Sequence, residues 1–201
     1  MKIIKSLLKI SIILGMTLIF ISCGKNDVRN YKEQIPDNKT GHNFHGENTG
    51  LTQTVTKEFR WSAPKGWILE NSKSKLRIAT FSIRQKKMNA ICTLIPLHGD
   101  GGGLDANVRM WYGTLTGKDI SDNKLNIFIK EQKRFKTLSG RKGVLIDLLK
   151  TESKDNTTSM LISVITFPRK TLFIKMTGDK DILRSNKDKF INFSKSIKMG
   201  K

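Results

Sequence analysis

Residues 158–177 read TSMLISVITFPRKTLFIKMT, and this stretch decides the fold class. Its two apolar runs, 158–167 and 171–177, are rich in the β-branched and aromatic residues that favour strands. The residues between them, Pro168-Arg169-Lys170, form a turn signal. A join this short suits antiparallel pairing, because a parallel pair needs a long crossover. The stretch therefore predicts an antiparallel hairpin.

Similar runs predict six more strands, bounded by turn residues such as Pro64-Lys65-Gly66. They lie near residues 55–61, 67–70, 75–83, 89–97, 126–136 and 143–151.

The run 143–151 is apolar on both faces. Val144 and Ile146 lie on one face, whereas Leu145 and Leu149 share the other with Asp147. A strand of this kind predicts a sheet that is covered on each side.

Two helical stripes would provide that cover. The first consists of Leu104, Val108, Trp111 and Leu115, and the second, within 179–197, of Ile182, Leu183, Phe190, Phe193 and Ile197. Residues 55–201 are therefore predicted to form an α+β domain, an antiparallel β-sheet flanked by helices on both faces.

Several segments of this domain resemble the motifs of one family, in the same order. They are FRWSAPKGW at 59–67, LRIATF at 76–81, GDGGGLDANV at 99–108 followed by Trp111, FIKMTG at 173–178, and Phe190-x-x-Phe193-x-x-Ser196-Ile197. Together they resemble uncharacterised bacterial proteins, often lipid-anchored, with a domain similar to PsbP and the Mog Ran-binding protein. The resemblance implies an α-β-α sandwich and an accessory binding role rather than an enzyme. One departure is that Arg109 and Met110 stand where the family writes Asn-Arg.

The amino end, residues 1–22, has the composition of an export signal. Three lysines precede an apolar run at 10–20, which is shorter than the roughly 20 residues of a membrane-spanning helix. Cys23 then follows a small residue, as in a bacterial lipobox, so we expect a lipoprotein signal peptide and a lipidated, palmitate-carrying Cys23. A plain secreted protein and an uncleaved anchor are the alternatives. The expected location is the bacterial cell envelope, held to a membrane by the amino-terminal lipid.

Residues 23–54 lack a sustained apolar period and are predicted to form a flexible tether. The tether carries four bases and four acids. It also contains His42, His45 and Glu47, which we interpret as solvated linker residues and not as a metal site.

The charge of the chain is concentrated in the domain. The sequence has 37 Lys and Arg against 17 Asp and Glu, a net charge of +20. Three lysines belong to the signal peptide and the tether is neutral, so +17 falls on residues 55–201.

The domain contains two clusters of basic residues. The first consists of Lys73, Lys75, Arg77, Arg84, Lys86 and Lys87, and the second of Lys130, Lys133, Arg134, Lys136, Arg141 and Lys142. They suit lysine-guarded sheet edges, or contact with an acidic envelope protein or anionic lipid. No nucleic acid is expected, since no binding motif accompanies the clusters.

The glycine loop, residues 99–103, is the best candidate site. Glycines permit positive φ and close backbone approach, and free amides at a helix start attract anions. The loop matches neither a P-loop nor a dinucleotide fingerprint. A structural turn and a contact site for a small ligand or a partner both remain open. The candidate contacts are His98, Asp100, Gly101, Gly102, Gly103, Asn107 and Arg109.

Catalysis has little support in the sequence. Cys92 lies in an apolar strand, where we expect a buried, inert thiol, and no acid and base are placed by a recognisable motif. No catalytic residue, metal or cofactor is predicted. The sequence favours a non-enzymatic, lipid-anchored envelope protein whose domain contacts a protein partner or an anionic surface. The alternative is a small-ligand-binding module or hydrolase that uses the glycine loop.

Overall fold

A computed structural model of the chain describes residues 52–55, 58–71 and 74–200. The predicted signal peptide, Cys23, the histidines of the tether and Lys73 lie outside the described residues.

The described residues form strands and helices in the following order. They are β1 (Thr52–Val55), β2 (Phe59–Ala63), β3 (Ile68–Glu70), β4 (Ala79–Gln85), β5 (Met88–His98), α1 (Leu104–Thr116), α2 (Asp122–Glu131), β6 (Lys133–Lys136), β7 (Lys142–Asp147), β8 (Thr158–Phe167), β9 (Lys170–Asp179), α3 (Lys180–Ser196) and β10 (Lys198–Met199).

The main sheet of the described chain has seven strands in the order β3-β4-β5-β9-β8-β7-β6, and every neighbouring pair is antiparallel. The predicted hairpin is β8–β9, in which Phe167 pairs with Lys170 across the turn residues Pro168 and Arg169. Arg169 adopts a φ of 64°, in the left-handed region that tight hairpin turns use. The predicted antiparallel α+β class is confirmed.

A smaller sheet, in the order β1-β2-β10, is also antiparallel within the described residues. β1 begins at Thr52, which pairs with Ala63 of β2. Residues 52–54, assigned by the sequence to the end of the tether, therefore pair with the domain.

The apolar side chains form two clusters, one with α3 and one with α1 and α2. Neighbouring residues of β7 are divided between them: Leu145 belongs to the α3 cluster, whereas Val144 and Ile146 belong to the other. The same alternation divides Leu172 from Phe173 on β9. Since successive strand residues face opposite sides, this division is compatible with helices on both faces.

The strand predicted at 126–136 is wrong over its first half, where α2 extends to Glu131. Leu125 and Ile129, four residues apart, are buried, whereas Ile127 between them is 50% exposed. That burial has the period of a helix. The sequence Asn126-Ile127-Phe128-Ile129 has the apolar, β-branched composition that is typical of a strand, but this composition does not decide the element. Packing of the helix against the sheet outweighs that local preference.

Candidate functional site

The glycine loop connects the end of β5 to the start of α1. Gly99, Gly101, Gly102 and Gly103 all have positive φ, between 60° and 88°. The loop is tied to the β8–β9 hairpin, because the Gly99 amide donates to the Arg169 carbonyl at 2.9 Å. The central hairpin therefore fixes the position of the loop.

Gly101 is held in a close contact with the ring of Phe173. A Cβ placed on Gly101 would lie 2.4 Å from Cε2 and 2.6 Å from Cζ of that ring. The ring is itself packed edge to face against Trp111, with 5.8 Å between centroids. A glycine is therefore required here by packing as well as by its φ of 67°.

Two predicted site residues, Asp100 and Asn107, hold the loop together. Asp100 Oδ1 accepts a hydrogen bond from the Gly102 amide at 3.0 Å. Asn107 Nδ2 donates to the carbonyls of Gly101 and Gly103, at 2.9 and 2.6 Å. These polar groups are thus engaged within the loop, which accounts for their spacing in the sequence.

The structure does not bring all predicted site residues together. His98 is adjacent, since its carbonyl accepts from the Gly101 amide at 3.1 Å. Arg109 instead joins α1 to the start of α2: its Nη1 donates to the Ile120 carbonyl at 2.6 Å, and its Nη2 is paired with Asp122.

A cleft of about 700 Å³ opens beside the glycine loop. It is lined by residues of β6, β7, β8, β9, the loop and the start of α1: Asp100, Leu104, Arg134, Phe135, Lys136, Lys142, Gly143, Val144, Val164, Thr166, Thr171 and Phe173. A concave site of this volume lies in the range of ligand pockets, about 300–1,000 Å³.

The floor of the cleft is one row of paired residues across four strands. Arg134 pairs with Val144, Val144 with Val164, and Val164 with Phe173. The row thus runs from an exposed arginine on the edge strand to the buried ring beside the glycine loop. An apolar surface with a cation at one end results.

A second row is polar, with Lys136 paired to Lys142 and Thr166 to Thr171. Thr171 is buried and its hydroxyl donates to the Gly99 carbonyl at 2.9 Å, which ties this row to the loop.

Three exposed cations form what we name the basic wall of the cleft: Arg134, Lys136 and Lys142. Within the part of the chain that the structure describes, none of the three is in an ion pair. Asp100 is the one carboxylate in the described lining, and its Oδ1 accepts from the Gly102 amide. The wall is therefore available to an anionic group.

The basic wall belongs to the second basic cluster of the sequence. The described residues of the first cluster lie shortly before β4, near its end and in the β4–β5 turn, in the other half of the main sheet. None of them lines the cleft. Sequence reasoning identified both sides of the cleft separately, but missed its floor of Val144, Val164 and Phe173. The strand alternation already placed Val144 on one face, and the missing information was which strands are neighbours.

The thiol of Cys92 is fully buried, and burial raises its pKa well above the ordinary value. The protonated thiol is a poor nucleophile, in agreement with the expected inert cysteine.

Among the described residues, no group of three or more His, Cys, Asp and Glu side chains is placed to hold a metal ion. None of the described helices has the length and apolar character needed to cross a membrane.

No protein-family model matches the chain, and no curated protein matches it. Among solved structures, the chain is similar to the solution structure of cyanobacterial PsbP (CyanoP) from Synechocystis sp. PCC 6803, with 14% sequence identity and a TM-score of 0.48. The similarity covers 80% of this chain and 98% of the cyanobacterial one. A likeness of this size says nothing about what this chain binds.

Proposed function

We propose that the chain is a lipid-anchored protein of the bacterial envelope whose domain is a non-enzymatic binding module for an acidic protein partner. The observation that carries the proposal is the cleft, in which an apolar floor meets a basic wall without ion pairs among the described residues. The net charge of the domain has the sign that attracts an acidic partner.

The two rows of the cleft suit an acidic segment that also carries an apolar side chain. Carboxylates would pair with Arg134, Lys136 and Lys142, and the apolar side chain would cover Val144 and Val164. The exposed ion pairs contribute little each, about 0.2–1 kcal/mol, and salt screens them. Most of the affinity would then come from the covered floor, and the wall would supply attraction and orientation.

A binding role is favoured over catalysis by how the loop residues are engaged. Asp100 and Asn107 are hydrogen-bonded within the loop, Arg109 is held by α2, and Cys92 is buried and protonated. A general acid or base must lie within hydrogen-bonding distance of a substrate proton. These side chains instead make hydrogen bonds within the protein or are buried.

A second candidate is a small anion with an apolar body, bound in the same cleft. The volume of about 700 Å³ favours it, because a small molecule of ordinary size fills such a space. Native mass spectrometry of the purified chain distinguishes the candidates, since only a small ligand would remain as an added mass.

Photo-crosslinking in the native cell tests the partner. A photoreactive residue at Lys136 is expected to trap an acidic protein, and the same residue at Lys87, an exposed position on the β4–β5 turn, serves as the matched control. Combined reversal of Arg134→Glu and Lys142→Glu should lower the yield at Lys136 roughly tenfold. The pair Arg84→Glu and Lys87→Glu, equal in charge, should leave it unchanged. Equal yields from both positions, or products with lipid alone, would contradict the proposal.

The anchor rests on the lipobox-like sequence at Cys23. Cells fed a radiolabelled or alkyne-tagged palmitate should incorporate it into this protein, and Cys23→Ser should abolish the label. A label that persists in Cys23→Ser would show that the lipid is attached elsewhere. Cys92→Ser is the matched control, because that thiol is buried in the sheet.

A further inference from the structure

The half of the main sheet that lies away from the cleft has one side that no helix cluster covers. The cluster of α3 includes Phe81 and Ile83 of β4 and Cys92 of β5. The cluster of α1 and α2 takes its strand residues from β7, β8 and β9, and of β3, β4 and β5 only Leu97 packs against it. We name the side of these three strands that faces away from α3 the open face. It carries Ile68, Thr80, Ser82, Arg84, Ile91 and Thr93.

Two half-exposed isoleucines stand in one row of the open face. Ile68 of β3 and Ile91 of β5 both pair with Ser82 of β4, and the two isoleucines are 54% and 52% exposed. Val144, on the half of the sheet that α1 and α2 cover, is only 5% exposed. Neighbouring exposed isoleucines form an apolar patch, and such patches mark contact surfaces.

Exposed cations stand at both ends of β4, beside this patch. They are the described members of the first basic cluster: Lys75, Arg77, Arg84, Lys86 and Lys87. Within the part of the chain that the structure describes, none of the five is in an ion pair. The first basic cluster is therefore free to meet an anionic partner.

The neighbouring strands leave this positive charge in excess. Glu70 Oε1 on β3 accepts from the Ser82 hydroxyl at 2.5 Å, and Asp179 Oδ2 on β9 accepts from the Asn89 amide at 2.6 Å. A further cation, Lys175, stands on β9 opposite Thr93. Burial, and after it the nearby Arg77 guanidinium, lowers the pKa of the Lys175 ammonium. The cations of this region therefore oppose one another, and negative charge from outside would relieve them.

Sheet twist turns the open face away from the helices α1 and α2. Neighbouring strands are rotated by about 20–25° relative to one another. β4 is three strands from β8 in the main sheet, so its outer side is turned by roughly 60–75° from that of β8, which belongs to the α1 and α2 cluster. A broad, flat surface can therefore approach the open face.

The predicted tether brings a membrane within reach of the domain. The segment between Cys23 and β1 is residues 24–51, whose full extended length is about 90 Å. A flexible chain of this length has an end-to-end distance of about 30 Å. A domain held this close experiences a high local concentration of lipid, so a face of weak affinity would still be occupied.

We propose that the open face docks the domain on an anionic phospholipid leaflet. Ile68 and Ile91 would enter the headgroup region, and the cations at the ends of β4 would lie against the lipid phosphates. The inference rests on the proposed function for the lipid anchor at Cys23, and it adds a second contact with the same membrane. β3 and β6 are opposite edges of the main sheet, so the cleft beside β6 stays open to the protein partner.

The test measures contact between the open face and lipid in the full chain, purified from cell membranes and reconstituted into vesicles. A fluorophore is attached at Ile68→Cys, and nitroxide groups on the lipid acyl chains quench it on contact. We expect quenching in vesicles of phosphatidylcholine with phosphatidylglycerol and little in phosphatidylcholine alone. Ile127→Cys on α2 is the matched control, because Ile127 is 50% exposed, and its label should stay unquenched in both. Leu76→Cys, in the exposed loop before β4, is a second reporter if β3 does not tolerate the label.

Paired neutralisations test the charge. Arg77→Gln with Arg84→Gln should lower the ratio of docked to undocked chain by about 25-fold, since each cation near an anionic leaflet contributes about fivefold. Lys150→Gln with Lys189→Gln removes the same charge at exposed positions outside the open face and should leave the ratio nearly unchanged.

Co-flotation of the chain with phosphatidylcholine vesicles reports the anchor separately, so that loss of the anchor and loss of docking are distinguished. Without the anchor, docking is read from the quenching at raised concentrations of the anionic vesicles. Quenching that is absent, equal at Ile68 and Ile127, or equal in both vesicle types overturns the proposal. So does an Arg77 and Arg84 variant that docks as well as the Lys150 and Lys189 variant. A label at Ile68 that is shielded in native membranes but unquenched in the anionic vesicles assigns the face to an envelope protein and also overturns it.

Discussion

Replacing Gly101 by alanine tests whether the glycine loop is built around the Phe173 ring. The added Cβ would lie 2.4 Å from Cε2 of Phe173, a separation that real contacts essentially never show. The ring is 5% exposed and packed against Trp111, so a retreat into the cleft that it lines would disturb that packing. The loop or the ring must therefore shift.

The expected cost has two parts. A non-glycine residue in the left-handed region costs about 1–2 kcal/mol, and overpacking a well-filled site costs about 1–3 kcal/mol. Gly101→Ala should therefore lower the free energy of unfolding by about 2–5 kcal/mol. Gly117→Ala is the matched control, because its φ of 71° is nearly the same and no atom lies within 4 Å of the added Cβ. That control should lose only about 1–2 kcal/mol.

Urea unfolding followed by far-ultraviolet circular dichroism measures both variants. In a Phe173→Leu background, the additional cost of Gly101→Ala should fall to that of Gly117→Ala, because the ring is no longer there. Equal losses from the two alanine variants in the wild-type background would refute the reasoning, since the contact with Phe173 would then contribute nothing.

Three further outcomes are expected. In the urea titration, Asn107→Ala should lower the free energy of unfolding by about 1–3 kcal/mol, because two loop carbonyls lose their donor. The control Asn123→Ala, at an exposed position of α2, should leave the free energy of unfolding nearly unchanged. In a Cys23→Ser chain, the raised pKa and burial of Cys92 should make its reaction with a thiol reagent far slower in the native state than in urea, and equal rates would contradict its burial. Asp155 accepts hydrogen bonds from the hydroxyl and amide of Thr158, and from Thr157 and Ser153, which hold its pKa below the ordinary range. Because the pKa of Asp155 is lower in the folded state, the carboxylate stabilises the fold at neutral pH, and this stabilisation fades below about pH 4. The difference in the free energy of unfolding between the wild type and Asp155→Asn should therefore shrink in urea titrations below that pH. A difference independent of pH would contradict this.

Local chemistry made some elements predictable. Residues 158–177 contain two β-rich runs and a three-residue join, and a join of that length leaves antiparallel pairing as the available geometry. The alternation of Val144, Leu145 and Ile146 likewise follows from the two-residue period of a strand, so their division between two clusters is implied by the chain itself.

α2 was not predictable in this way. Asn126-Ile127-Phe128-Ile129 has the composition of a strand, and only the burial of Leu125 and Ile129 against the sheet marks its helical period. Short apolar runs are ambiguous between strand and helix because both can bury them.

The candidate site shows the same division. The glycine loop and the second basic cluster were both recognised in the sequence, but as unrelated features. The pairing order β6-β7-β8-β9 places Arg134 in the same row as Phe173, and the Gly101 contact with that ring brings the loop to the other end of the row.

By itself, then, the sequence determined the antiparallel α+β class, the excess positive charge of the domain and the turn chemistry of the glycine loop, because each depends on residues close together in the chain. The tertiary structure alone decided that the loop and the basic wall border one cleft, and that Arg60 and Lys198 stand opposite each other. Those outcomes depend on how several strands assemble: four strands build the row between the loop and the wall, and β2 and β10 come from opposite ends of the domain. Turn geometry sets the register within one hairpin, but only the assembled sheets bring together segments this far apart in the chain.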